Sequence, residues 1–321
     1  MLQQYLSHIG RDIGLDSPDC SIKTLSSGHL LVSTTDFFYP IVPDPYQQGA
    51  VACCNVLSDL YALGITHCET ILMVLAVSNQ LQEPERGIVT SEMMKGFADI
   101  AKQAGTDVSG GQSIINPWPI IGGVGMSVVS ESELIRSNSG APGDKLILTK
   151  PIGTQIAANL YEWFYHKPEK YQALKTKPSE EEVNTVFEKA AAYMATLNLT
   201  GAKLMHKHKA KGATDITGFG LLGHTMNLAS VQKEEVDLVI DTLPVLKGLA
   251  ALDKQVRDFK LKEGFSAETS GGLLIMVPRE SSQEFLEDFR KESGNEAWIV
   301  GEVVKGGRKA VISEEAKLLE V

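Results

Sequence analysis

The spacing of apolar positions changes period several times along the chain. In LLVSTTDFF, residues 30–38, apolar and polar side chains alternate, which predicts a strand with one buried face. The next run, PYQQGAVACCNVLSDLYALG, carries helical spacing from Pro45 toward Gly64. Asp44 is placed to accept free backbone N–H groups there, and proline at the first helical position loses no hydrogen bond. CETILMVLAVS predicts a second strand, SEMMKGFADIAKQAG a helix capped at Ser91 and ended by Gly105, and PIIGGVGMSVV a further strand. Later, EEEVNTVFEKAAAYMATLNL predicts a long helix, and VDLVI, GGLLIMV and AWIVGEVV predict strands. Turn formers crowd SNSGAPGDKL, residues 137–146, just before the apolar run LILTKPIG. The chain therefore divides near there into residues 1–142 and 143–321, both of mixed α+β character.

Composition narrows the classes. At 321 residues and 43% apolar content, each half can bury its own core. A net charge of -10 argues against nucleic-acid binding, which leans on clustered Lys and Arg. Cys20, Cys53, Cys54 and Cys68 show no C-x-x-C spacing, so neither zinc nor a disulfide framework is expected, and a reducing cytoplasm fits. No window approaches the roughly 20 apolar residues of a membrane span, and no secretory leader is expected at the first residues.

The candidate chemistry lies in dispersed aspartates. Asn55 and Asp59, four residues apart, share one face of an otherwise apolar helix. Asp19, Asp36 and Asp215 each stand at the end of an apolar run. One such Asp is as readily a turn or cap residue. Four in an acidic chain point to carboxylates gathered around hard cations, because magnesium takes oxygen ligands and bridges to phosphates. SGGQS, residues 109–113, predicts a loop where Gly110 and Gly111 let a phosphate or ribose approach backbone N–H groups. ETSGGLL, residues 268–274, reads as a tight turn before a strand, and His224 as a structural helix residue. Neither the Walker loop nor the dinucleotide fingerprint is present.

TTDFFYPIVPDPYQQG, ACCNVLSDLYALG, VSGGQSIINPW, LTKPIGTQ, ATDITGFGLLGH and ETSGGLL follow one another in the order seen in selenophosphate synthetases, and the chain resembles that family from residue 16 to 321. The resemblance implies an α+β, two-domain fold like that of aminoimidazole ribonucleotide synthetase (PurM-like). Its amino-terminal domain would form a β-barrel with that of a second copy in a homodimer, and its carboxy-terminal domain an α+β sandwich. It implies conversion of selenide, ATP and water to selenophosphate, AMP and orthophosphate, with magnesium and commonly potassium. Carried over by position, Asp19, Asp59 and Asp215 match metal ligands, with Asp16 a competing match for the first. Asp36, Ser109, Gly110, Gly111 and Gln112 match ATP contacts, and Asn55 is a weaker carry-over.

The resemblance also implies a Gly-rich loop with Cys or selenocysteine and a nearby Lys upstream of the first metal aspartate. MLQQYLSHIGRDIGLDSP contains neither Cys nor Lys, so the catalytic residues are unassigned and weak or absent turnover is expected. The alternative expectation is a loop-less binding or regulatory protein acting with other proteins of the selenocysteine pathway.

Overall fold

The computed structural model describes residues 20–321. Its first half runs β1 (Ser21–Thr24), β2 (Leu30–Phe38), α1 (Pro45–Ala62), β3 (Thr70–Ser78), α2 (Glu85–Gln103), β4 (Val108–Asn116) and β5 (Ile120–Val129). These strands form one sheet in the order β1-β2-β5-β3-β4, antiparallel except where β4 runs parallel to β3. One face is covered by α1 and α2, which pack on each other. Among the described residues this sheet is open, ending at β1 and β4, and does not close into the barrel implied by the resemblance.

The second half runs β6 (Lys145–Leu148), α3 (Thr154–Tyr165), α4 (Pro168–Gln172), α5 (Glu180–Met194), α6 (Leu199–Lys207), β7 (Gly212–Asp215), α7 (Gly220–Ser230), β8 (Val236–Val245), β9 (Leu273–Val277), α8 (Ser282–Ser293), β10 (Trp298–Lys305) and β11 (Ala310–Glu320). Its six strands are ordered β11-β8-β10-β6-β9-β7. β9 is apolar throughout because both faces are buried. Leu273, Ile275 and Val277 enter one core, and Leu274 and Met276 the other. The first of these cores also contains Val56, Leu60 and Phe97, so a continuous apolar cluster joins the two halves. That shared core holds α1 against the second sheet.

Local signals explain several boundaries. The Asp44 side chain accepts from Gln47 N at 2.7 Å, with proline in the first turn of α1. The chain leaves that helix through Gly64 at φ +74°. Two expectations need correction. Helix α2 begins at Glu85, so Ser91 lies inside it and caps nothing. Its buried residues start only at Met93, which is why apolar spacing marks the helix late. The SGGQ run is not a loop but part of edge strand β4, held by pairing of Gly111 with Met73.

Candidate functional site

Period-2 geometry puts Thr34 and Asp36 on the same helix-facing side of β2. The Thr34 hydroxyl donates to Asp59 on α1, and Asp36 lies within hydrogen-bonding reach of the same carboxyl. Asp215, the last residue of β7, adds its charge: burial first, and then Asp215, push the Asp36 carboxyl up to about 6, while the bond to Asp59 opposes. Three aspartates from β2, α1 and β7 thus lie near enough for Asp36 to feel the other two at the junction of the two halves. Asp16 and Asp19 lie outside the described residues. Among the described residues, no three His, Cys, Asp or Glu side chains stand close enough together to hold one ion. The donor set nevertheless fits magnesium in kind: the groups are hard carboxylate oxygens, and Asp215 adds a second negative charge beside the buried Asp36.

Ser109, Gly110, Gly111 and Gln112 do not join this cluster. Cross-strand pairing sets Asp36 opposite Gly123, Gly123 opposite Met73, and Met73 opposite Gly111. Three strand spacings, about 14 Å, therefore separate Asp36 from Gly111. The run is exposed on the sheet edge beside Ile114 and Ile115, which are 54% and 77% exposed. A Cβ on Gly111 would stand 2.0 Å from the Met73 carbonyl oxygen, so only glycine lets β4 approach β3 here.

Several residues that sequence reading left without a role surround the carboxylates. Lys150 is fully buried and donates through Nζ to Thr196 O at 2.7 Å and Ser270 O at 2.9 Å. Burial pushes its pKa down to about 8, opposed by Cys54 and Asp215. Glu268 accepts from Gly153 N and Thr154 N, both at 2.8 Å, so its carboxyl fills the amino terminus of α3. Burial raises that group to about 7, and its hydrogen bonds oppose the shift. Asn55 does not point an unsatisfied group at the cluster: its Oδ1 accepts from Ser270 N at 3.1 Å. His224 is buried, with Nε2 3.1 Å from Thr217 Oγ1, and burial lowers its pKa while Asp215 opposes. The only sequence signal for Lys150 and Glu268 was their place in LTKPIG and ETSGGLL.

Comparison with known proteins agrees with this architecture. Residues 17–129 match the family model "AIR synthase related protein, N-terminal domain", and residues 141–314 match its C-terminal counterpart. The chain is 51% identical over 312 residues to mouse (Mus musculus) selenide, water dikinase 2, covering 96% of this chain and 68% of the relative. Thiamine monophosphate kinase from Aquifex aeolicus superposes with a TM-score of 0.70 at 16% identity, covering 99% of this chain and 97% of that one. A ThiL protein solved with AMPPCP and TMP gives a TM-score of 0.70 at 17% identity, over 100% and 94% of the two chains. At such identities the solved structures speak for the fold alone, the two-domain α+β fold of the AIR synthase related proteins. The match to the mouse protein goes further, and with the carboxylate junction on the same scaffold, the chain belongs to the selenide, water dikinase family of AIR synthase related proteins.

Proposed function

We propose that this chain is the ATP- and magnesium-binding core of a selenophosphate synthetase, which uses ATP and water to convert selenide to selenophosphate, AMP and orthophosphate. The observation that carries the reading is the meeting of Asp36, Asp59 and Asp215 from separate elements, in a chain half identical to a selenide, water dikinase. Asp59 and Asp215, with Asp19, would hold magnesium, and Asp36 would face the nucleotide. Bound there, magnesium supplies charge neutralisation for the triphosphate and the transferring phosphoryl group. Thr34 holds Asp59 in place, and the buried Lys150 offsets part of the carboxylate charge without entering the solvent-facing site. Potassium is a further cation implied by the family.

Residues 1–142 form the ATP-binding and dimerisation domain in this reading, and residues 143–321 the α+β partner domain. The working unit is a homodimer. Ile114, Ile115 and Trp118 are exposed along the β4 edge and the turn after it, and Phe37 and Val128 are exposed on the sheet. Pairing these surfaces between two copies would close the open sheets and carry Ser109–Gln112 to the partner's carboxylates, across a distance the single chain does not bridge. All four cysteines are free, and no helix among the described residues is long and apolar enough to cross a membrane.

Incubation with selenide, ATP and magnesium, followed by phosphorus NMR for selenophosphate and chromatography for AMP, tests the assignment. Selenide-dependent AMP formation, even slow, supports it. ATP breakdown indifferent to selenide contradicts it.

A further inference from the structure

Three residues near the carboxylate junction adopt conformations or environments that local energetics disfavours: Ser270 belongs to the turn Ser270–Gly272, and Asn198 and Lys150 bond to that turn. Ser270 takes φ +47°, a left-handed conformation unfavourable for a residue with a side chain. Asn198 is the residue preceding α6, where Asn ordinarily caps its own helix, yet its side chain makes no cap bond. Its Nδ2 instead donates to Ser58 Oγ at 3.0 Å and Gly271 O at 2.9 Å. Lys150 keeps an ammonium group inside the protein on two backbone carbonyls, with no carboxylate in ion-pair contact among the described residues. Burying an ammonium group is costly, and its two hydrogen bonds tie the backbone at Thr196 and Ser270 to one point.

What they fix follows from the neighbours. The turn is bonded to α1 through Asn55 Oδ1 and Ser270 N, and Asn198 bridges from the turn to Ser58, next to Asp59. On its other side, Ile216 N donates to Gly272 O at 2.9 Å, next to Asp215. The contact is too close for side chains on the turn: a Cβ on Gly271 would stand 2.1 Å from Ile216 O, and one on Gly272 2.4 Å from Lys150 N. The turn is therefore tied directly to Ile216, the residue after Asp215, and to Asn55 of α1, and through Asn198 to Ser58, the residue before Asp59.

We propose that Asn55, Lys150 and Asn198 clasp the Ser270–Gly272 turn to set the spacing between Asp59 and Asp215, and so act as positioning residues for the divalent cation. The inference rests on the reading of those two aspartates as metal ligands. Outer partners of metal ligands typically change affinity by about 10–100-fold when removed.

The test is Mn2+ affinity of the full 321-residue chain, measured by electron paramagnetic resonance with thermal unfolding in parallel. Asn198→Ala and Lys150→Met are compared with Phe285→Leu, a core substitution outside the clasp, and with Asp215→Asn. The clasp predicts about tenfold weaker Mn2+ binding in whichever of the two clasp variants folds, and unchanged binding in Phe285→Leu at comparable loss of melting temperature. Wild-type Mn2+ affinity in Asn198→Ala, with binding lost in Asp215→Asn, overturns the clasp and leaves the metal reading intact. Unchanged affinity in Asp215→Asn overturns the metal reading, and the clasp with it.

Discussion

The Thr34 hydroxyl donates to the Asp59 carboxylate, joining β2 to α1 beneath the carboxylate cluster. Thr34 is almost wholly buried, so its removal leaves Asp59 short of a donor that water cannot easily replace. Thr34→Val keeps the shape and deletes the hydroxyl. It should lower stability by about 1–3 kcal/mol, seen as a lower urea midpoint at unchanged slope. An unaltered midpoint would mean that the bond contributes nothing.

Stability should depend on pH in two opposing windows. Asp36 and Glu268 titrate at about 6 and about 7 in the fold, each raised mainly by burial. The folded state then binds more protons than the unfolded one, so their contribution is complete in acid and is lost as pH rises through those values. Lys150 behaves oppositely: its pKa of about 8 lies below that of the unfolded chain, so stability climbs as pH rises above 8 toward 10.5. Melting temperature measured without divalent cations should therefore pass through a minimum between about 7 and 8. Magnesium should raise it there in the native chain and not in Asp59→Asn. A profile rising steadily from pH 5 to 7 would contradict the assignment of Asp36 and Glu268.

Two glycines should differ sharply. At Gly111, φ is +147° and an added Cβ would meet the Met73 backbone, so Gly111→Ala should cost more than about 2 kcal/mol. Gly105, at φ +78°, has open space around the same atom, and Gly105→Ala should cost only about 1 kcal/mol. Chemical denaturation of both variants gives the comparison directly. Equal losses would place the constraint in φ alone.

Ile115→Lys puts a charge on the exposed β4 edge without touching the core. If two copies associate through that edge, sedimentation should show the native chain as a dimer and the variant shifted toward monomer. A variant that sediments like the native chain would move the interface elsewhere.

Much of the fold was legible where signals were local. Asp44 and Pro45 mark the start of α1, and the alternation in LLVSTTDFF marks β2 to the residue. Asp36, Asp59 and Asp215 stood out as polar residues ending or interrupting apolar runs, and in the fold Asp59 and Asp215 both act on Asp36. Ser91 misled because the first turns of α2 are exposed, so the helix begins before its apolar stripe does. The SGGQ run misled because β4 is exposed on both faces, which leaves no alternation to read. Its strand geometry comes from pairing with β3, a contact across the fold. Lys150 and Asn198 were hidden for the same reason: Lys150 meets Ser270 120 residues away, and Asn198 meets Ser58 140 residues away. Neither pairing leaves a trace in local sequence.

Calorimetric titration of ATP into the full chain, with and without magnesium, bears most directly on the carboxylate junction. The expected result is binding that requires magnesium and disappears in both Asp59→Asn and Asp215→Asn, while both variants remain folded by circular dichroism. ATP binding of native strength in either variant, or without a divalent cation, would contradict the assignment of these aspartates to one metal–nucleotide site.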